Sequence, residues 1–141
     1  MDRKAEARWT GDLKSGSGRV KLGSGAFEGP YSFISRFESG GGTNPEELLG
    51  AAHAGCFSMA LSLALSMSGH PATSVDTTAT VHLEKVGAGF AITGIDLLTR
   101  GVVPGIDAET FKRHAEETKS NCIISKALSA VPMRLDADLT T

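Results

Sequence analysis

A chain of 141 residues, 40% hydrophobic and 21% charged, is long enough for one domain, residues 1–141, with its own core. A formal net charge of −2 with no long basic run argues against nucleic acid and membrane surfaces as partners. The opening "MDRKAEARW" is charged throughout, so no secretory leader is read there and a bacterial-type cytoplasm is the expected compartment.

The first third reads as strands. Ala5, Ala7 and Trp9 alternate with Lys4, Glu6 and Arg8, the pattern of a half-buried strand. "GDLKSGSG" is turn material, "RVKL" a second strand, and "GSGAFEGP" turns again. "YSFISRFES" is expected to be a third strand, with Tyr31, Phe33 and Phe37 on one face and Ile34 and Arg36 on the other. The glycines do not form a phosphate loop, because no Lys-Ser/Thr pair follows and no helix begins there.

After "SGGGT" a long helix is expected. Asn44 can cap it, Pro45 suits the first helical position, and Glu46 and Glu47 complement the positive dipole end. It should run to Ser68, with Gly69 as the stop and Pro71 beyond. Residues 48–67 are apolar enough to raise a membrane question. Ser58, Ser62, Ser66 and His53 within them, and the lack of positive anchors at either flank, favour a buried helix.

A strand pair follows. Val75, Thr77, Ala79, Val81 and Leu83 form one face, "VGAG" turns, and Phe90 and Ile92 continue inward. Ile95 and Leu97 then take over, and this change of phase at Gly94 predicts a bulge. "PGIDAETFKRHAEETK" reads as a helix capped by Asp107, with Phe111 and Ala115 facing inward. A short helix follows Asn121, and residues 133–140 alternate as a last strand. The order βββ-α-ββ-α-α-β groups strands in runs, which predicts an α+β fold with antiparallel sheets.

A helix apolar all round must be covered all round, and a second copy of the chain is the natural cover. Ala51, Gly55, Ser58, Ser62 and Ser66 form a small-residue stripe on which another helix could lie. Cys56 falls on a different stripe with Ala52, Met59, Ala60 and Leu63, at a core or a dimer seam. Glu46 and Cys56 are ten residues apart, about 15 Å along one helix, so a carboxylate assisting this thiol must come from a partner helix.

Cys56 and Cys122 are the two cysteines. A structural disulfide does not suit a reducing compartment, and their spacing matches no metal signature. Two silent core thiols and a reactive pair would look alike here, and the silent reading is the commoner.

"GTNPEELLGAAHAGCFSMALS", with "SRFE", "SVDTTATVHLEKVGAGFAIT" and "VPGIDAETF", resembles the OsmC/Ohr family of osmotically inducible and organic hydroperoxide resistance proteins, and its OsmC branch in particular. The likeness extends over nearly the whole chain. It implies an intertwined homodimer with active sites at the interface and long central helices beside two sheets. It implies thiol-dependent reduction of hydroperoxides, organic ones above hydrogen peroxide, in oxidative and osmotic stress defence. Cys56 corresponds to the peroxidatic cysteine and Cys122 to the resolving one. Arg36 corresponds to the branch's arginine and Glu46 to the carboxylate that pairs with it. The reductant implied is a dihydrolipoyl-type dithiol, and no cofactor or metal is expected. One departure is "CIIS" at Cys122 where relatives often carry "CPVS".

Each residue also has a plainer reading. Arg36 could be a surface ion pair, and Glu46 could simply favour a helix N-terminus, the role expected of Glu47. His53 stands one turn before Cys56, yet a packed histidine is commoner than a ligand or base. His82 and His114 fall on polar faces. Cys122 opens a short helix, whose dipole would favour its thiolate, or else packs as a small apolar residue. Tyr31, Phe33, Phe57 and Met59 supply apolar surroundings suited to an organic substrate. Two rival functions remain: a Cys-His hydrolase using Cys56 and His53, for which no orienting acid is visible, and a carrier of apolar ligands.

Overall fold

The structure, a computed structural model, describes residues 1–140. The chain forms two compact units, Met1–Leu48 and a second that begins at Leu49.

In the first unit β1 (Ala5–Thr10), β2 (Ser17–Leu22) and β3 (Glu28–Tyr31) form an antiparallel meander. Gly18 pairs with Trp9 on one side and Tyr31 on the other. A Cβ there would lie 2.4 Å from the Tyr31 ring, so only glycine lets the two rings meet at 5.4 Å. The third strand lies earlier than expected: Glu28 to Pro30, read as turn, form it with Tyr31, and it stops where the expected strand begins. Residues from Phe33 on form a one-turn helix, α1 (Phe33–Phe37), in place of the expected alternation. Ser32 and Ser35 cause this through a reciprocal cap: the Ser35 amide donates to the Ser32 hydroxyl at 3.1 Å, and the Ser32 amide to the Ser35 hydroxyl at 2.8 Å. Phe33 and Phe37 then stack at i and i+4, 5.0 Å apart.

The long helix α2 (Pro45–Met67) starts as expected, with the Asn44 side-chain oxygen Oδ1 accepting from the Glu47 amide at 2.7 Å. Gly69, at φ 86°, ends it, and the His70 amide reaches the Leu65 carbonyl at 2.9 Å. That pairing is the six-to-one bond of a glycine-terminated helix. By length and composition α2 could cross a membrane. Its buried residues from Leu49 onward instead form one stripe, Gly50, His53, Phe57, Leu61 and Leu65, three or four residues apart.

The second unit adds β4 (Ser74–Val86), β5 (Gly89–Val102), α3 (Ala108–Asn121), α4 (Ile123–Ala127) and β6 (Met133–Thr140). β4 and β5 are antiparallel. His82 pairs with Gly94 but Leu83 with Ile92, so Thr93 is the extra residue of the bulge that the phase change predicts. Against expectation this sheet is mixed: β6 runs parallel to β5, with Ile95 opposite Met133. The physical reason is the connection, since α3 and α4 carry the chain back to the start of β5. Phe90, expected inward, is 54% exposed. His82 is not simply solvated: its Nε2 lies 2.8 Å from Asp96, which also accepts from Arg134 at 2.9 Å.

Phe57, Leu61 and Leu65 of α2 pack with Ile95 and Leu97 of β5, Phe111 and Ala115 of α3, and Ala137 of β6. Two glycines permit close approach. A Cβ on Gly50 would sit 3.3 Å from the Ala79 carbonyl oxygen of β4, and one on Gly101 would sit 2.4 Å from the Phe111 ring. Gly101→Ala is therefore expected to destabilise the fold by about 1–3 kcal/mol through overpacking. Urea unfolding of Gly101→Ala, Phe111→Leu and the double variant should show less than additive loss, because the smaller ring makes room for the methyl.

Asp107 caps α3 as the sequence predicts, accepting from the Thr110 amide at 2.7 Å. That backbone bond, then the Thr110 hydroxyl, holds its carboxyl below the usual value of 3.8. A depressed folded pKa means the cap's stability is present above the unfolded value and is lost as pH falls through the folded one. Asp107→Asn keeps a capping oxygen but cannot titrate. The parent should therefore lose stability relative to Asp107→Asn as urea unfolding is repeated at pH values falling from about 4, the unfolded carboxylate's value, through the lower folded one.

Candidate active site

Arg36 reaches its place because Ser32 starts α1 and because α1 is strapped to the segment before α2. The Ser35 hydroxyl donates to the Thr43 carbonyl at 2.7 Å, and the Asn44 side-chain amide donates to the Ser35 carbonyl at 3.0 Å. Arg36 and Glu46 then meet as a fork. Nε lies 3.2 and 3.3 Å from the two carboxylate oxygens, and Nη2 lies 2.8 Å from Oε1. Glu46 is 7% exposed, and the guanidinium also stands over the Phe37 ring at 5.2 Å. Arg36 Nη1 enters no hydrogen bond among the described residues. Glu47 takes the structural part expected of it, accepting from the Thr43 hydroxyl at 2.7 Å.

Arg36 borders a cleft of about 210 Å³ lined by Trp9, Tyr31, Phe33 and Phe37. A permanent cation beside aromatic walls suits a ligand with one polar end and an apolar body. The expected apolar surroundings divide here. Tyr31 and Phe33 line this cleft, whereas Phe57 is fully buried in the core of the second unit.

Cys56 is half-buried on α2 and packs at the edge of the second unit's core. Beside it the helix presents Met59, Leu63 and Met67, which are 77%, 61% and 80% exposed. The stripe assigned to Cys56 is therefore largely open within one chain. The small-residue stripe is only partly free, because the Ser58 hydroxyl donates to Thr77 of β4 at 2.8 Å.

Cys122 is 2% exposed and belongs to the same core. It caps α4, its sulfur accepting from the Ser125 amide at 3.3 Å. With only five residues, α4 is too short for its dipole to count for much, and this directed bond takes over the part expected of it. The Cys122 thiol also donates to the Ser125 hydroxyl at 3.0 Å, and that hydroxyl lies 2.8 Å from Nε2 of His53. His53 is fully buried, Nδ1 has no partner among the described residues, and burial holds its pKa below the usual value of 6.5. Ser125 is the residue that sequence reading misses. The only signal was its spacing, three residues after a cysteine that begins a helix. Both cysteines are free thiols, and no group of three His, Cys, Asp or Glu among the described residues could hold a metal ion.

Residues 38–136 match the family described as OsmC-like protein, a span that includes Glu46, Cys56 and Cys122 and begins just after Arg36. The chain is 54% identical over 131 residues to Peroxiredoxin OsmC of Escherichia coli (strain K12), covering 92% of each, and equally similar to Peroxiredoxin OsmC of Shigella flexneri. In three dimensions it resembles the organic hydroperoxide resistance protein OhrB of Bacillus subtilis, with a TM-score of 0.73, 22% identity, and 97% and 98% of the two chains covered. The OsmC-like protein VCA0330 of Vibrio cholerae aligns with a TM-score of 0.75 at 15% identity, over 97% and 99% of the two chains. A two-sheet α+β fold, a family match over most of the length and more than half the residues shared with a curated relative agree: this chain belongs to the OsmC-like family, in its OsmC branch.

Proposed function

We propose that this protein is a thiol-dependent peroxidase that reduces organic hydroperoxides, and hydrogen peroxide less well, to alcohols or water. The observation that carries this reading is the Arg36–Glu46 fork at an aromatic cleft with Nη1 uncommitted. The names of its relatives in Escherichia coli and Bacillus subtilis, a peroxiredoxin and an organic hydroperoxide resistance protein, support it.

A thiolate at Cys56 attacks the distal peroxide oxygen, the O–O bond breaks, and the alkoxide leaves as the alcohol. The thiolate and not the thiol is the nucleophile, and guanidinium supplies a counter-cation that never deprotonates. Arg36 Nη1 then donates to the leaving oxygen as charge builds there. Glu46 fixes the guanidinium plane and leaves that nitrogen free. The organic body of the peroxide occupies the cleft of Trp9, Tyr31, Phe33 and Phe37. Cys122 condenses with the Cys56 sulfenic acid to a disulfide, which keeps Cys56 below the irreversible rungs of oxidation. A dihydrolipoyl-type dithiol resets the pair, in a cytoplasmic setting of oxidative or osmotic stress.

The functional form in this reading is a homodimer. The open apolar face of α2 at Met59, Leu63 and Met67 supports a second copy as its cover. Because Glu46 cannot reach Cys56 along its own helix, Arg36 and Glu46 complete the site around Cys56 of the other chain. A Cys-His hydrolase finds no support, since Nε2 of His53 is engaged with Ser125.

Stopped-flow oxidation by cumene hydroperoxide tests the reading. Cys56→Ser should abolish activity, whereas Cys122→Ser should give one turnover and then over-oxidised Cys56 by mass spectrometry. Full steady-state turnover in Cys56→Ser would remove the assignment. Sharing between chains has its own test. Cys56→Ser and Arg36→Ala subunits, both inactive, should regain activity when mixed under exchange, because each heterodimer holds one intact site. Confirmed exchange without activity would put the whole site in one chain.

A further inference from the structure

The buried chain His53–Ser125–Cys122 is not used by the peroxide-reducing step. It resists explanation as packing alone. An unpartnered buried ring nitrogen destabilises the fold, a cost that leucine or phenylalanine at position 53 would avoid. The direction of the bonds is informative. The Cys122 thiol donates to the Ser125 hydroxyl. That hydroxyl's own hydrogen is then free for Nε2 of His53, 2.8 Å away. In the tautomer that accepts at Nε2, the ring carries its hydrogen on Nδ1, the atom without a partner. His53 and Cys56 stand one turn apart on α2, so the same turn that carries Cys56 holds the far end of the chain that starts at Cys122.

We propose that Ser125 and His53 form a proton relay that deprotonates Cys122 as it attacks the Cys56 sulfenic acid. The inference rests on the peroxidase reading, with Cys122 as the resolving thiol. As the Cys122 proton passes to Ser125 Oγ, the hydrogen of Ser125 passes to His53 Nε2. The sulfur lone pair freed on Cys122 forms the S–S bond with Cys56. The Cys56 S–O bond breaks, and its electron pair leaves with the oxygen as hydroxide. The imidazolium returns to the neutral ring by giving up one proton, which reaches the hydroxide through solvent and completes the water. Thiol and sulfenic acid thus give disulfide and water, with no outside oxidant or reductant. Burial keeps the resting ring neutral, ready to accept, and makes the charged ring quick to release its proton. The Ser125 amide, 3.3 Å from the sulfur, holds the thiolate in place throughout.

The test separates the two steps in the full-length protein. Stopped-flow loss of the Cys56 thiol with one equivalent of cumene hydroperoxide follows the first. Quenched-flow mass spectrometry, counting dimedone-trapped sulfenic acid against disulfide, follows the second. Ser125→Ala and His53→Gln should oxidise Cys56 at the parental rate but form disulfide at least about tenfold more slowly, as expected for lost proton transfer. Glutamine can keep the hydrogen bond to Ser125 but cannot carry the proton. Parental disulfide formation in His53→Gln would therefore overturn the relay even if Ser125→Ala is slow. Ser125→Thr, which keeps the hydroxyl, should recover the second step to within about threefold. In the unmodified protein, heavy water should slow disulfide formation by about twofold or more and leave the first step nearly unchanged. Absence of that isotope effect overturns the relay with no variant needed. Failure of the parent to oxidise Cys56 at all overturns the peroxidase reading and the relay with it.

Discussion

One stripe of helix α2 organises the second unit. Gly50, His53, Phe57, Leu61 and Leu65 are buried at helical spacing, while Met59, Leu63 and Met67 stay open. Burying one face of an all-round apolar helix fixes its rotation, and rotation decides which chemistry faces where. Cys56 falls at the border between the two faces, packed on one side and reachable on the other. His53, one turn earlier, is turned fully inward to Ser125. A rotation by one residue would exchange these roles.

The two ends of the chemistry obey different physics. Arg36 and Glu46 form a charge pair whose value lies in direction. Two nitrogens are spent holding the carboxylate, and the third is aimed by the plane they define. Cys122 lies in a buried site without a charged partner, where a free charge is costly, and its polar neighbours are the hydrogen-bonding groups of Ser125 and His53.

Local capping explains why the arginine is presented at all. The residues from Phe33 to Phe37 satisfy both a strand and a helix pattern, since aromatics at i and i+4 share a face in either. Ser32 and Ser35 break the tie by satisfying each other's backbone, and the resulting turn of helix sets Arg36 against Glu46. Likewise the parallel pairing of β6 with β5 is a property of the connection and not of either strand's composition.

The sequence by itself determined a good deal. Caps at Asn44 and Asp107, the stop at Gly69, the bulge opposite His82 and the long helix with Cys56 near its middle are all local events, governed by residues within a few positions of each other. The α+β class followed from the same patterns, and the family likeness from the longer motifs around Cys56, at "SRFE" and at "VPGIDAETF". What only the tertiary structure decided is long-range. Phe57 went to the core and not to the aromatic cleft, Ser58 to β4, and Phe90 outward, because burial depends on which element arrives opposite. The contact of His53 with Ser125 joins positions 72 residues apart, and no spacing along the chain encodes it. Hydrogen-bond direction between such distant groups exists only once the core that brings them together has formed.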